Sequence, residues 1–408
     1  MDGPRACTVS DVESSLALIN KVFREGTDQD AQTDYPLVYD SSMLEFRRII
    51  KIDNKVVAHV PVAPRLVLRN GDQLMSGLIS ATVTHSDYRK QGLGTLCLED
   101  CIQIMNQRNW PTSILWTMEA TFPFYQNSGW EAVGSQGFAY KLTAQDSKLF
   151  DKTSHLKIIE YDKTNNNHMN GIMQIHDAEP IRISRSITDY QILFNLPKSK
   201  TILAFDDSNL IAYLTFGWST NKPGIMESGG LTEGIESLIN YFLENEMRDK
   251  NTQALVPLHK TTMGELLNSK KPKDCSPIEK AQGMGYQMNR INNMEVLLKS
   301  MYKYFQIKSI NLNTSFSISL KDTNETVGIS LNKGKVEISN HKQPRHINLS
   351  RRNLTQLIFG THHKISEIEI DLDLKKIFDS IFPYRFTCLL YTSPSPRDAT
   401  LSRMPSSA

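Results

Sequence analysis

The residues best placed to do chemistry lie in one run, LISATVTHSDYRKQGLGTLCLEDCIQIMNQR, from Leu78 to Arg108. A strand pattern, Leu78–Thr84, is followed by Arg89-Lys90-Gln91-Gly92-Leu93-Gly94 and then by a helix pattern from Thr95 to about Arg108. Two glycines one residue apart let the backbone turn tightly and approach a ligand with no Cβ in the way. The helix that follows offers free N–H groups and the positive end of its dipole, worth roughly 0.3–2 kcal/mol to a bound anion. Arg89 and Lys90 add charge at the same end, so the chemistry indicated is the cradling of a pyrophosphate. The alternative is a strand-turn-helix with a glycine-rich bend. A Walker loop would need Gly-Lys-Ser/Thr, which is absent, and a dinucleotide fingerprint would need Gly-x-Gly-x-x-Gly directly after a first strand.

A second cluster follows the strand pattern Ser113–Met118. Phe122–Ser128 reads as a short helix, and Phe124-Tyr125 there lead to Gly129-Trp130. Tyr125 is a candidate proton donor, or a core aromatic between Phe124 and Trp130. Glu119, at the strand end, has the reach of a general base on an amine, directly or through water, or is a solvated terminal charge. His59 reads as a packed strand residue and His85 as a turn cap. Asp34, Tyr35, Glu45, Trp116 and Glu119 together have the composition of an acidic, aromatic pocket for a cationic amine.

The order Arg-x-x-Gly-x-Gly between a strand and a long helix resembles the acyl-CoA loop of the GNAT superfamily of N-acetyltransferases. Phe124-Tyr125-Gln126-Asn127-Ser128-Gly129-Trp130 resembles that family's Phe/Tyr-Tyr-x-x-x-Gly-Phe/Tyr segment. The resemblance implies an α/β (α+β) fold with a mixed, mostly antiparallel sheet, and acetyl-CoA as co-substrate without a metal. It implies that Gln91, Gly92, Leu93, Gly94 and Thr95 grip the pyrophosphate through their backbone, with Arg89 and Lys90 beside them. The fourth-strand backbone, at Thr82, Val83 and Thr84, would polarise the thioester carbonyl, a contribution of roughly a few kcal/mol. Tyr125 would stand by the sulfur. Proton transfer from a phenol near pKa 10 to a thiolate near 8.5 is uphill by about 1.5 units, so a hydrogen bond or a shifted tyrosine would suffice. Glu119 is taken with it as the candidate base, from its place at the strand end rather than from the resemblance.

These residues need elements to position them. Ser10–Arg24 reads as a helix capped by Ser10 and Glu13, with Leu16, Ile19, Val22 and Phe23 on its apolar face. Phe46–Ile52 and Val56–Val62 flank the turn pair Asp53-Asn54. Arg65–Arg69 and Gln73–Thr84 flank Asn70-Gly71, a strong hairpin signal. Gly129-Trp130-Glu131 and Gly137–Leu142 are expected to close the same sheet.

Residues 1–147 are therefore read as the acetyl-CoA domain, and residues 148–300 as a second copy. In that copy Thr201–Phe205 and Leu210–Phe216 form a hairpin, Gly234–Arg248 a helix, Thr252–Val256 a strand and Asn293–Leu298 a last strand. Nearly equal spacings separate Asp53 from Gly129 and Asp207 from Gly285, as in a tandem repeat. Met226–Leu231 lacks the basic residues and the Gly-x-Gly order, so this copy is read as degenerate. In residues 301–387, the strands Ile307–Leu320, Val327–Leu331 and Gly334–Ile338 precede the helices Leu349–Phe359, ending on a C′ glycine at Gly360, and Leu372–Phe382. This part resembles a sterol-carrier-like domain, and the whole order resembles the enhanced-intracellular-survival type of acetyltransferase, with packing and assembly the expected role of the third part. Residues 388–408 have no period and resemble translated read-through sequence, so the natural terminus is expected to be missing. The resemblance implies that a terminal carboxylate reaches the active site, a role Ala408 cannot be given.

The chain has 408 residues and a formal net charge of +2, with no basic stripe for nucleic acid and no apolar run of membrane-spanning length. Its five cysteines are scattered, and Cys97 and Cys101 read as buried small hydrophobes. A reducing cytoplasm fits this usage. The functional expectation is an N-acetyltransferase acting on a small-molecule amine, with homo-oligomerisation implied by the resemblance alone. The competing readings are a non-catalytic acyl-CoA-binding protein, a protein lysine acetyltransferase, and a lipid carrier centred on Met301–Thr387.

Overall fold

The computed structural model describes residues 1–26, 30–217, 224–247, 251–280, 285–361 and 370–385. Its first part runs β1 (Asp2–Ala6), α1 (Val12–Phe23), the short helices α2 (Ala31–Asp34) and α3 (Pro36–Tyr39), β2 (Arg47–Ile52), β3 (Lys55–Arg69), β4 (Asp72–Ile79) and β5 (Val83–Thr84). Then follow α4 (Leu93–Gln107), β6 (Thr112–Thr117), α5 (Phe122–Asn127), β7 (Glu131–Ala132) and β8 (Gly137–Thr143). The two expected hairpins form, with Asp53, Asn54, Asn70 and Gly71 all at positive φ, as their turns require. β3 is one continuous strand rather than two, carrying Pro61 and Pro64 without a break. The entry to α1 differs from expectation: Thr8 and Asp11, not Ser10 and Glu13, form the capping box, at the head of a 3-10 turn.

The second part contains β9 (Lys157–Glu160), α6 (Asn166–Ala178), β10 (Ile181–Ile183), α7 (Ile187–Leu193), β11 (Ser199–Asp206), β12 (Asn209–Gly217) and β13 (Gly224–Gly230). It continues with α8 (Thr232–Glu246), β14 (Asn251–Pro257), α9 (Thr262–Lys270), β15 (Asp274–Pro277) and β16 (Tyr286–Ile291). The last part holds α10 (Met294–Ser300), α11 (Tyr302–Lys308), β17 (Asn313–Leu320), β18 (Thr326–Asn332), β19 (Lys335–Ser339), β20 (His346–Leu349), α12 (Arg351–Phe359) and α13 (Leu372–Ile381). The proposed tail, residues 388–408, lies outside the described residues.

Among the described residues the strands form three sheets, and the first two exchange members. β8 does not close the first sheet; it lies between β14 and β15 in the second. The vacated position is filled by β16, which pairs with β6 and β7. Local patterning cannot report such an exchange, because a strand's own residues do not say which distant strand it pairs with. Asn293–Leu298 is the start of helix α10 rather than a strand: Asn293 caps it by accepting from the Val296 N–H, and Met294, Leu297 and Leu298 are buried at helical spacing. The first residues of the expected strand Ile307–Leu320 belong to α11 and its exit. Gly360 is extended rather than left-handed, with φ −65°; a Cβ there would stand 2.4 Å from the Gln356 carbonyl oxygen.

Helix α4 covers one face of the first sheet, where Cys97, Leu98, Cys101 and Met105 pack with Val60 and Val62. Gly77 permits this approach, since a Cβ would meet the Met105 sulfur at 2.3 Å. On the other face α1–α3 share a continuous apolar core with α10–α13 and the four-stranded sheet β19-β18-β17-β20. The three parts are thus held by common cores and shared strands.

Candidate active site

The site begins with a defect between β4 and β5, alongside β3. Ile79 pairs with Val62 and Val83 with His59, so four steps from β4 to β5 oppose three on β3. This is a β-bulge. It interrupts the strand expected over Gln73–Thr84 and takes Ala81 and Thr82 out of the ladder. β4 and β6 are parallel only over Ser76–Leu78 and Thr112–Ile114, so beyond Leu78 the two strands part. A cleft of about 280 Å³ opens there, lined by Thr82, Val83, Thr84, Arg89, Lys90, Gly92, Leu93, Gly94, Thr95, Thr121 and Phe124, with Val22 and Tyr88 at its side.

The glycine loop enters this cleft from the side of α4. Lys90 and Gly92 take positive φ, 61° and 77°, and Gly92 is the N-cap residue of α4. A Cβ on Gly92 would meet no atom within 4 Å, so the backbone conformation, not space, selects glycine. At Gly94 the reason is contact: a Cβ would stand 3.0 Å from the Thr84 hydroxyl and 3.6 Å from the Phe124 ring. No side chain caps the α4 N-terminus and no acidic residue occupies its first turn. Its N–H groups therefore meet the cleft with the dipole undiminished. Arg89 donates its Nε–H to the Thr84 carbonyl at 3.2 Å, which fixes its stem, and Gln91 donates to the Asp87 carbonyl at 3.3 Å. Of the ten residues expected to hold a co-substrate, the structure brings nine to the cleft wall; Gln91 is exposed beside it.

Tyr125 is 8% exposed and packs edge-on against Phe124 and Trp130, with ring centroids 4.9 and 6.4 Å away. Burial pushes its phenol above the usual range, and the neighbouring Thr82 side chain pulls the other way. Glu119 stands in the 3-10 turn after β6, exposed, beside Tyr286 of the exchanged strand, whose phenol it raises. It is not among the residues that line the cleft.

The acidic pocket does not assemble. Asp34 is buried in an ion pair with Arg24 at 3.1 Å, and Arg24 also lies over the Tyr35 ring. Glu45 pairs with Arg108 on the surface, and Trp116 packs on the Ala139–Leu255–Ile278 cluster. His85 accepts from the Asp87 N–H at 3.4 Å, the expected turn cap. The sequence reading missed Thr121 and Val22: a lone threonine and one more apolar helix position carry no local signal of a cleft. In the second sheet the corresponding connection is nearly absent, with Leu231 alone between β13 and α8.

Comparison with known proteins follows the same lines. Residues 4–133 match the family model described as the acetyltransferase (GNAT) domain. No curated protein matches the sequence. Among solved structures, a probable N-acyltransferase of Enterococcus faecalis is 14% identical, with 93% of this chain and 96% of that one covered and a TM-score of 0.72. A GCN5-related N-acetyltransferase from Anabaena variabilis is 15% identical, covers 86% and 88%, and has a TM-score of 0.65. Eis1 from Mycobacterium abscessus is 10% identical, covers 88% and 89%, and has a TM-score of 0.57. At these identities the likeness is one of fold: the chain has the GNAT fold, in a long arrangement shared over nearly the full length of each relative.

Proposed function

We propose that this chain is an acyltransferase that moves the acetyl group of acetyl-CoA to the amine of a small molecule by direct attack. One observation carries the reading: an uncapped helix N-terminus, flanked by Arg89 and Lys90, opens on the same cleft as the bulged strand at Thr82. A pyrophosphate matches the first and a thioester carbonyl the second. Acetyl-CoA supplies the activated acyl group. The residues of the chain bind it, orient it and manage protons.

The bulge frees the Ala81 and Thr82 backbone from the β3 ladder, which leaves it able to pair with a pantetheine amide and to stabilise negative charge developing on a carbonyl oxygen. The carbon–sulfur bond breaks as the nitrogen–carbon bond forms, and the leaving sulfur needs a donor. Tyr125 suits that role: burial keeps it protonated, and it lies beside Thr82. Glu119 is assigned to the amine proton through water, since it stands outside the lining residues. The sterol-carrier likeness of residues 301–387 enters only as architecture: Phe316, Ile318, Leu354 and Phe378 are spent on the shared core, which favours packing over lipid carriage. A cytoplasmic place, no nucleic-acid or membrane partner, and a homo-oligomer belong to the same proposal.

The test is CoA release from acetyl-CoA over a panel of amines, with Tyr125→Phe and Gly92→Glu beside the parent. Amine-dependent turnover that falls in both variants is expected. Acetyl-CoA binding without acetylation of any amine would make the protein an acyl-CoA-binding protein instead.

A further inference from the structure

Behind the cleft, on the α1 face of the first sheet, lies a buried charge that the acyl-transfer reading does not use. Arg47 is 1% exposed. Its Nη2 donates to the Ser15 hydroxyl at 2.5 Å, and that hydroxyl is itself committed to the Val12 carbonyl at 2.9 Å. Its Nε and Nη1 have no acceptor. Arg47 pairs with Pro61 and Ile49 with His59, so Arg47 and His59 are diagonal neighbours on one face of the β2–β3 ladder. His59 is fully buried, and neither ring nitrogen has a partner. Tyr39 completes the group: the Arg47 guanidinium lies 5.5 Å from its ring centroid, the His59 ring 6.2 Å from it, and its hydroxyl is also unpartnered.

The cluster is therefore rich in donors and short of acceptors. It holds the Nε–H and Nη1–H groups of Arg47, the O–H of Tyr39 and one N–H of a neutral imidazole. A guanidinium does not lose its proton in a protein, so the positive charge is permanent. The nearby groups that could balance it do not. Asp11 is taken by Arg5 and Lys51, each at 2.7 Å, and Asp34 by Arg24 at 3.1 Å. Burial raises the Cys7 thiol and the Tyr39 phenol, so both stay neutral. The Tyr39 ring face offsets the charge only in part. A water would satisfy hydrogen bonds but would leave the charge uncompensated in a medium of low dielectric.

We propose that Arg47, His59 and Tyr39 form an internal site for a small monovalent anion, of the size of chloride. Such an ion accepts from all three side chains and neutralises Arg47 where no carboxylate does. It also links the site to the cleft by position, because His59 is the ladder partner of Val83, which lines the cleft wall.

The experiment is urea unfolding of the full chain in chloride and in gluconate, which is too large for the site, at equal ionic strength. A resident anion lowers the unfolding constant about tenfold for each tenfold rise in free chloride above its Kd. Arg47→Met should remove that dependence. Equal stability in chloride and gluconate would overturn the proposal, as would an unchanged chloride dependence in the variant. If Arg47→Met does not fold, the parent still decides: crystals grown in bromide should show an anomalous peak beside the Arg47 guanidinium. The absence of a peak there, as expected if water alone fills the space, overturns the site.

Discussion

Tyr125 of the short helix α5 lies beside Thr82, in the bulge between β4 and β5, and the Thr82 side chain lowers its phenol against the effect of burial. The residue read as proton donor thereby stands next to the segment read as carbonyl partner. Substituting Tyr125→Phe should reduce kcat/KM for acetyl transfer by about 10²-fold, within the usual range for a general acid. The stability change should be only about 1 kcal/mol, because the ring and its packing on Phe124 and Trp130 are kept. Steady-state kinetics and urea titration separate the two. A large stability loss with proportionate activity loss would return Tyr125 to a purely structural role.

The two loop glycines should fail differently. Gly92→Ala forces a side chain into positive φ with free space around it, so it should cost about 1 kcal/mol in stability. Gly94→Ala keeps its helical conformation but presses on Thr84 and Phe124, and so narrows the cleft. Its mark should be a several-fold rise in KM for acetyl-CoA with little change in melting temperature. Equal effects of both variants on KM would contradict this division.

His176 gives the acid limb of stability. It is buried, its Nδ1 lies 2.6 Å from the Tyr190 hydroxyl, and burial first, then the Arg185 charge, lowers its pKa to about 4. A histidine neutral in the fold but near 6.5 when unfolded takes its proton on unfolding, so stability is full above pH 6.5 and falls as pH drops towards 4. The loss attributable to this group should approach ~3 kcal/mol by pH 4. Urea midpoints measured from pH 7 to 4 should decline less in His176→Gln than in the parent; parallel declines would remove the assignment.

The strand exchange makes a claim about autonomy. Without β16, residues 1–147 leave β6 with a bare edge, and β8 would have no sheet to join. That fragment should aggregate or melt without cooperativity, while the full chain unfolds cooperatively. A soluble, cooperatively melting fragment would show that the exchange is dispensable.

Asp34 should behave as a core residue rather than a substrate contact. Breaking a buried pair leaves one charge uncompensated, so Asp34→Ala should destabilise by about 3–5 kcal/mol. A higher amine KM with unchanged melting would overturn that reading.

What the sequence alone determined is local. The glycine loop, the helix after it, the Asp53-Asn54 and Asn70-Gly71 turns and the Phe124–Trp130 run are legible because backbone geometry and short-range periodicity depend on neighbours in the chain. The tertiary structure decided the rest. It gave β8 to the second sheet and β16 to the first, because the partners of each lie far along the chain. It placed the bulge at residues 80–82, which appears only against the register of β3. It dispersed Asp34, Glu45 and Trp116 among separate partners, and it gathered Arg47, His59 and Tyr39, whose closeness no spacing reveals. Charges are paired or left unpaired across space, and composition does not record which.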